Sequence, residues 1–379
     1  MTNMLLAEWD TPFALAPFDA ISDADFAPAF EAALDQARAE VAAIADNPEQ
    51  PSFANTVEAL EASGKGLDQV LSVFYTLAGA DSNPKRQELQ REFAPKLAAY
   101  SSELYGNKAL FARIEALWAA RDTLGLTQEE ARLLMLTHRG FRRSGAALTG
   151  AEEARMREIM ARLAQLGTAF TQNLLADEAG WHMELAEADL AGLPDFLVDA
   201  ARAAGREKGQ ERPVITLSRS LIVPFLQFSP RRDLRKKAYE SWVSRGAMGG
   251  ETDNREVAAE ILRLRAERAA LLGYQSFAAY KLETEMAKTP EAVRDLLMAV
   301  WEPAKAQAER DAARLTEMMQ ADGINGELEP WDWRYYAEKR RQAEHDLDET
   351  ALKPYLSLEG MIAAAFGCAN RLFGLEFRP

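Results

Sequence analysis

Cysteine is nearly absent: Cys368 is the only one in 379 residues, which excludes an internal disulfide and any thiolate metal cluster within one chain. Histidine is scarce as well, and His138, His182 and His345 are the whole complement. None of them begins a His-Glu-x-x-His stretch, the spacing that sets two imidazoles on one helical face beside a carboxylate. Long apolar runs are missing too. The richest, residues 361–366, is far too short to span a bilayer. Residues 1–12 carry Glu8 and Asp10 and lack a basic region followed by an apolar one, so a secretory leader is not expected. Positive charge is in deficit: 44 Lys and Arg stand against 59 Asp and Glu, a net charge of -15. Phosphate binding needs a basic face, so nucleic acid is excluded as a partner. The local basic runs, Arg231-Arg232 with Arg235-Lys236-Lys237 and Lys339-Arg340-Arg341, fall in helical patterns with acidic neighbours and read as solvated helix faces. The expected compartment is cytoplasmic, with no membrane partner.

What the sequence has is helical periodicity. At 48% hydrophobic and 27% charged residues it has an ordinary globular composition. Phe26, Phe30, Leu34, Val41 and Ile44 keep one face apolar over several turns, with Asp23 ahead of them and Asn47-Pro48 as the stop. Met156, Ile159, Met160, Leu163, Leu166, Phe170 and Leu174 make a longer stripe. Thr127 with Glu130, and Thr149 with Glu152, have capping-box spacing. Further helices are predicted over residues 56–78, 87–105, 110–118, 129–143, 231–244, 254–272, 289–319, 333–345 and 358–373, with Gly273 as a C-terminal stop and Thr289-Pro290 as a start. Between them, residues 181–185 alternate in polarity and 213–217 are β-prone, a hairpin-like pair with a helix over 190–204 between its arms. Residues 323–330 read as a linker. The predicted class is all-α, an elongated multi-helix arrangement with a minor β-hairpin-like insert.

Complete catalytic constellations are not found. His138 beside Arg139 reads as a polar contact, and His182 as a half-buried strand residue. Glu344-His345-Asp346-Leu347-Asp348-Glu349 is rich in ligand types but matches no zinc spacing, and reads as a solvated helix end. Thr216-Leu217-Ser218-Arg219-Ser220 lacks the glycines of a nucleophile elbow. Gly249-Gly250-Glu251-Thr252-Asp253-Asn254 lacks the Lys-Ser/Thr of a phosphate loop and reads as a turn feeding an N-cap. The run Trp331-Asp332-Trp333-Arg334-Tyr335-Tyr336 has two readings. Its rings either fill an internal seam, or wall a peptide cleft in which Arg334 grips a carboxylate.

Several of these segments carry a resemblance. Trp331-Asp332-Trp333-Arg334-Tyr335-Tyr336-Ala337-Glu338-Lys339, Leu272-Gly273-Tyr274-Gln275-Ser276-Phe277-Ala278-Ala279-Tyr280, Met286-Ala287-Lys288-Thr289-Pro290, Gly249-Gly250-Glu251-Thr252-Asp253-Asn254, Phe53-Ala54-Asn55-Thr56-Val57-Glu58-Ala59-Leu60-Glu61 and Pro17-Phe18-Asp19-Ala20-Ile21 together resemble the thimet oligopeptidase family of zinc metallopeptidases, in its bacterial peptidyl-dipeptidase and oligopeptidase A branch. The resemblance implies a two-lobed, neurolysin-like helical enzyme that hydrolyses short peptides in a narrow channel. In that family a His-Glu-x-x-His helix and a downstream Glu hold zinc, the helix Glu acts as base, and later Tyr and His residues stabilise the oxyanion. No position here corresponds to those groups, so no catalytic residue and no metal ligand is assigned, and binding residues stay unassigned. The implied organisation is a helical region over 1–225 followed by the beginning of the peptidase domain over 226–379, ahead of the zinc site. The chain is expected to be the front portion of a longer parent, inactive alone, with zinc bound in the full-length family and not by this chain. The alternative is a peptide-binding or scaffold half that complements a separately encoded C-terminal half. Leu375-Glu376-Phe377 reads as a strand start, and apolar surface is expected near Met361, Phe366 and Phe377.

Overall fold

The computed structural model describes residues 3–345 and 355–378. The chain divides into two units, one of residues 1–160 and 267–275, the other of residues 161–266 and 276–379.

The first unit is built on α1 (Asp23–Ala45). Its start is a capping arrangement one residue earlier than Asp23: the Asp25 carboxylate accepts the Ser22 N–H at 2.8 Å and the Ser22 hydroxyl at 2.7 Å. The apolar stripe then serves two cores in succession. Phe26, Phe30 and Leu34 pack with Val70 and Phe74 of α3 (Lys65–Ala80) and Leu89 and Phe93 of α4 (Pro84–Gly106). Phe30 stacks on Phe93 at 4.0 Å between ring centres, and Phe26 meets Phe74 edge-on at 5.2 Å, geometries that add to burial alone. Farther along, Val41 and Ile44 join Leu110 and Ile114 of α5 (Lys108–Ala120) and Phe141 of α6 (Gln128–Arg143). Thr127 and Glu130 form the expected capping box at the start of α6.

The continuous helix predicted over 56–78 is broken. A π-helical turn (Phe53–Glu58) leads into the short α2 (Ala59–Ala62), and Gly64 then takes a left-handed φ of 75° before α3 begins. Glu40 stabilises that corner by accepting the Gly64 N–H at 2.7 Å. Arg113 of α5 holds the other side. Its side chain is buried and donates to the carbonyls of Asn47 and Glu49 at 2.8 and 3.0 Å, to Asn55 Oδ1 at 2.9 Å and to Thr56 Oγ1 at 3.3 Å. These acceptors are all neutral, so one cation fixes the whole 47–56 connection.

Two long helices, α7 (Gly150–Gly180) and α11 (Arg255–Leu271), contribute residues to both units. In the second unit, β1 (His182–Glu184) and β2 (Val214–Thr216) pair antiparallel with Met183 opposite Ile215. The fold is thus all-α with a small two-stranded insert. The helix between the strands, α8 (Asp195–Glu207), starts later than the predicted 190–204 because Gly192 at φ 83° and Pro194 interrupt it. It lies so close to the following segment that a Cβ on Gly205 would sit 2.3 Å from the Arg212 carbonyl oxygen. A helix absent from the sequence reading, α9 (Arg219–Phe228), carries Leu221, Ile222, Phe225 and Leu226 into this core despite an internal Pro224. α10 (Arg232–Val243) follows, then the short α12 (Phe277–Leu282), the long α13 (Pro290–Ala321), α14 (Pro330–His345) and α15 (Leu358–Phe373). α14 packs against α9, α10 and α13. Residues 375–377 form no strand. Phe377 instead stacks on Phe366 at 4.1 Å, for the described residues offer no third strand to pair with.

Replacing Arg113 with Leu leaves several buried oxygens without a donor. The expected loss is about 2–4 kcal/mol, measurable as an earlier urea transition of the first unit. An unchanged midpoint would remove Arg113 from this role.

Candidate functional site

The three histidines serve three different local structures. His138 is buried, with Nε2 2.8 Å from Glu115 Oε2 and its ring stacked on Trp118 at 4.6 Å. His182 is the first residue of β1, opposite Thr216. His345 closes α14 and is exposed. Asp346, Asp348 and Glu349 of the acidic cluster around it lie outside the described residues. Among the described residues no group of three or more His, Cys, Asp or Glu side chains could hold a metal ion. The described side chains therefore do not fit a zinc ion.

Ser218 and Ser220 bond each other through their hydroxyls at 2.9 Å, at the start of α9. The glycine-rich loop before α11 is already occupied by a carboxylate of the protein. Buried Asp177 accepts the Gly246 N–H at 2.7 Å and the Thr252 hydroxyl at 2.5 Å. Asn254, at the foot of α11, donates to the Phe170 carbonyl and accepts from Asn173, both at 2.9 Å. Next to it the Arg255 side chain pushes the Asp253 carboxyl down to about 2. The loop feeds a helix, and an internal anion takes the place an outside one would need.

The most organised polar arrangement lies in the Trp331–Tyr336 run. Asp332 has 0% exposure. Its carboxylate accepts from Arg232 at 2.7 and 3.0 Å, from Arg235 at 2.8 Å and from the Glu329 N–H at 3.2 Å. Arg235 is itself buried and donates also to the carbonyls of Ser229 at 2.8 Å and Trp331 at 3.1 Å. Burial pushes the Asp332 carboxyl up, but the hydrogen bonds from the two guanidiniums outweigh it and hold the group below the usual carboxylate range. Farther along α14, Glu338 is held low chiefly by its hydrogen bond from Arg341, with Gln227 of α9 donating to it at 2.8 Å. Tyr336, buried beside Asp322, is pushed up to about 12, with burial the largest cause.

This ionic frame sets the aromatic side chains. Trp331 is met edge-on by Tyr239 at 6.4 Å and lies under the Lys236 ammonium at 4.9 Å. The Arg235 guanidinium lies 4.2 Å over Tyr335, and Arg334 is 5.8 Å from the Trp242 ring. Tyr336 packs with Leu315 and Met319 of α13. Most of the run thus fills a seam between α9, α10, α13 and α14. Trp333 differs: it opens to the surface and lines a cleft of about 240 Å³ with Asp311, Arg340, Glu344 and His345. Sequence reading singled out the aromatics but put Arg232 and Arg235 on a solvated helix face; Arg235 is instead buried and both pair with Asp332, since only the fold joins residues so far apart.

Two helices of this unit carry large apolar side chains in solvent. On α13 these include Leu296, Leu297, Val300 and Trp301, the last 59% exposed. On α15 and the segment after it they include Met361, Ile362, Phe366, Phe373 and Phe377, with Phe373 73% exposed.

Asp332→Asn removes the charge that offsets two guanidiniums, one fully buried. A loss of about 3–5 kcal/mol is expected. Because the folded pKa lies below the unfolded 3.8, the wild-type advantage is full above that value and fades as pH falls below it. Thermal unfolding from pH 7 to pH 3 (about four pH units spanning the carboxylate range) should show the two proteins converging at the acid end. Parallel curves would show that Asp332 titrates as it does in the unfolded chain.

Residues 225–379 match the model of peptidase family M3. Similarity to known proteins runs along the whole chain. It is 35% identical over 378 residues to a dipeptidyl carboxypeptidase of Escherichia coli (strain K12), covering 99% of this chain and 56% of that protein. It is 30% identical over 380 residues to an oligopeptidase A of Salmonella typhimurium, covering 99% of this chain and 55% of that one. A probable cytosolic oligopeptidase A of Arabidopsis thaliana is 28% identical over 391 residues, with 54% of its length covered. The chain spans about half the length of the curated relatives it matches. The motif resemblance, the family model over residues 225–379 and these relatives along the full length point the same way: the chain is similar to peptidase family M3 from end to end.

Proposed function

We propose that these 379 residues form the non-catalytic front portion of a zinc-dependent oligopeptidase acting on short peptides, of peptidyl-dipeptidase or oligopeptidase A type, and that they are inactive alone. The observation that carries this reading is end-to-end similarity to 56% of a dipeptidyl carboxypeptidase in a sequence without His-Glu-x-x-His. On this reading zinc, the general base and the oxyanion donors belong to polypeptide outside these residues. The organisation is a helical region over 1–225 and the beginning of the peptidase domain over 226–379. The α9–α10–α14 seam then acts as scaffold, with the Asp332 pair holding one wall of the peptide channel in place. No described helix is long and apolar enough to cross a membrane, and the acidic balance adds no basic surface for nucleic acid. Both are consistent with a cytoplasmic enzyme.

A second reading, in which the chain binds peptide or complements a separate catalytic half, draws on the exposed apolar residues of α13 and α15. Such faces are typical of surfaces that another polypeptide covers.

Incubation of the purified chain with an internally quenched peptide, with and without added zinc, should give no turnover. Turnover that a chelator abolishes and that follows this chain through purification would sink the claim of inactivity. The exposed faces have their own check. The chain should bind a hydrophobic fluorescent dye, and Phe366→Ser with Phe373→Ser should remove roughly half of that binding. Dye binding unchanged by the double substitution would show that α15 presents no accessible apolar surface.

A further inference from the structure

The first unit contains a concavity that neither the family match nor the proposed role assigns. Its volume is about 650 Å³, within the range of small-molecule sites. α4, α5, the start of α7 and the end of α11 contribute to it, and its charged lining is Lys108, Arg157 and Arg268 against Glu153 alone. Three cations to one carboxylate is the reverse of the balance of the whole chain, which carries 59 acidic and 44 basic residues.

The lining is not interchangeable in function. Lys108 is engaged within the protein: its ammonium donates to the carbonyls of Ala146 at 3.1 Å and Leu148 at 2.8 Å, and lies 3.2 Å from Glu153. That pairing cancels the one acidic group. Arg157 is exposed and has no ion pair among the described residues. Beside it α7 presents Met160, 43% exposed, with Met156 one turn back also lining the cavity. The Tyr105 ring forms part of the lining and is fixed by an edge contact with Phe141 at 5.0 Å. Gly145 keeps another wall open. At φ 94° it sits where a side chain is strained, and a Cβ there would meet Leu148 at 3.3 Å and Met156 at 3.7 Å. The frame is rigid at its junction, because Arg155 and Glu267 join α7 to α11 through two hydrogen bonds of 2.6 and 3.0 Å.

A guanidinium fork favours a planar carboxylate, and methionine with an aromatic ring favours an apolar body that can vary in shape. We infer that this cavity binds a small amphiphilic carboxylate, its anionic end on Arg157 and its apolar end against Met156, Met160 and Tyr105. The site is independent of the peptidase reading and would stand if that reading failed.

The test uses the full chain with methyl-13C-labelled methionine, the Met156 and Met160 signals being assigned through Met→Leu substitution at each position. Titration with the dipeptide Phe-Leu as free acid should move both signals. The same dipeptide as its C-terminal amide should bind about tenfold more weakly, the usual value of one charge-assisted hydrogen bond. Arg157→Gln should weaken the free acid by a similar factor and leave the other methionine signals in place, which separates lost binding from lost folding. Equal response to acid and amide, or a response to acid that Arg157→Gln does not change, would overturn the assignment. So would inorganic phosphate alone shifting both methionines as far as the dipeptide does, since the apolar part of the site would then contribute nothing.

Discussion

Asp332 gives up water for two guanidiniums, and the arrangement of the second unit's helices follows from that exchange. Removing a carboxylate from solvent costs several kcal/mol, and attraction to a partner repays it only when the geometry is close and the remaining lone pairs are used. Here both conditions are met: two Arg side chains from α10 and the Glu329 N–H converge on one carboxylate. Arg235 then ties the same point to the carbonyls of Ser229 and Trp331. The ends of α9 and α10 and the first turn of α14 are thereby fixed to each other. Hydrophobic packing alone tolerates sliding between helices, whereas this cluster specifies one register.

The first unit meets a similar cost in a different way. Arg113 is buried with neutral oxygens around it and no carboxylate. Carbonyl dipoles compensate a cation less strongly than an anion does, but several of them acting together fix a length of irregular backbone that no ion pair could span. The two solutions suit their tasks. An ion pair joins helices, and a fan of carbonyls shapes a connection that lacks its own repeating hydrogen bonds.

Much of the fold was legible because burial follows periodicity. The stripe from Phe26 to Ile44 predicts α1, and the Thr127–Glu130 spacing predicts the start of α6. The strands at 182–184 and 214–216 were visible from alternation and β-branched residues. The misreadings have local causes. Pro224 hides α9, since an internal proline forgoes a backbone hydrogen bond, and only the burial of Leu221, Ile222, Phe225 and Leu226 offsets that loss. Gly64 splits a stripe whose apolar spacing continues across the break. The ionic frame was not legible at all, because Arg232 and Arg235 stand 100 and 97 residues before Asp332. An aromatic run therefore read as packing before it read as a ligand wall, and the fold supplied the neighbours that it packs against.

The exposed helices raise a question of energetics. α13 is a 32-residue helix whose buried residues, Leu315 and Met319, lie in its last turns. Residues 294–310 are exposed along their whole length, and they include Trp301 and an internal Pro303. Helices in water draw most of their stability from a packed face, not from intrinsic propensity, so this stretch is held mainly from one end. Full burial of Leu296, Leu297, Val300 and Trp301 would contribute about 1.5–3 kcal/mol for each side chain before ordering costs. That sum is comparable to the stability of a small domain. Additional polypeptide seated on α13 and α15 would therefore do more than hide apolar surface, since it would supply the packed face that the first half of α13 lacks.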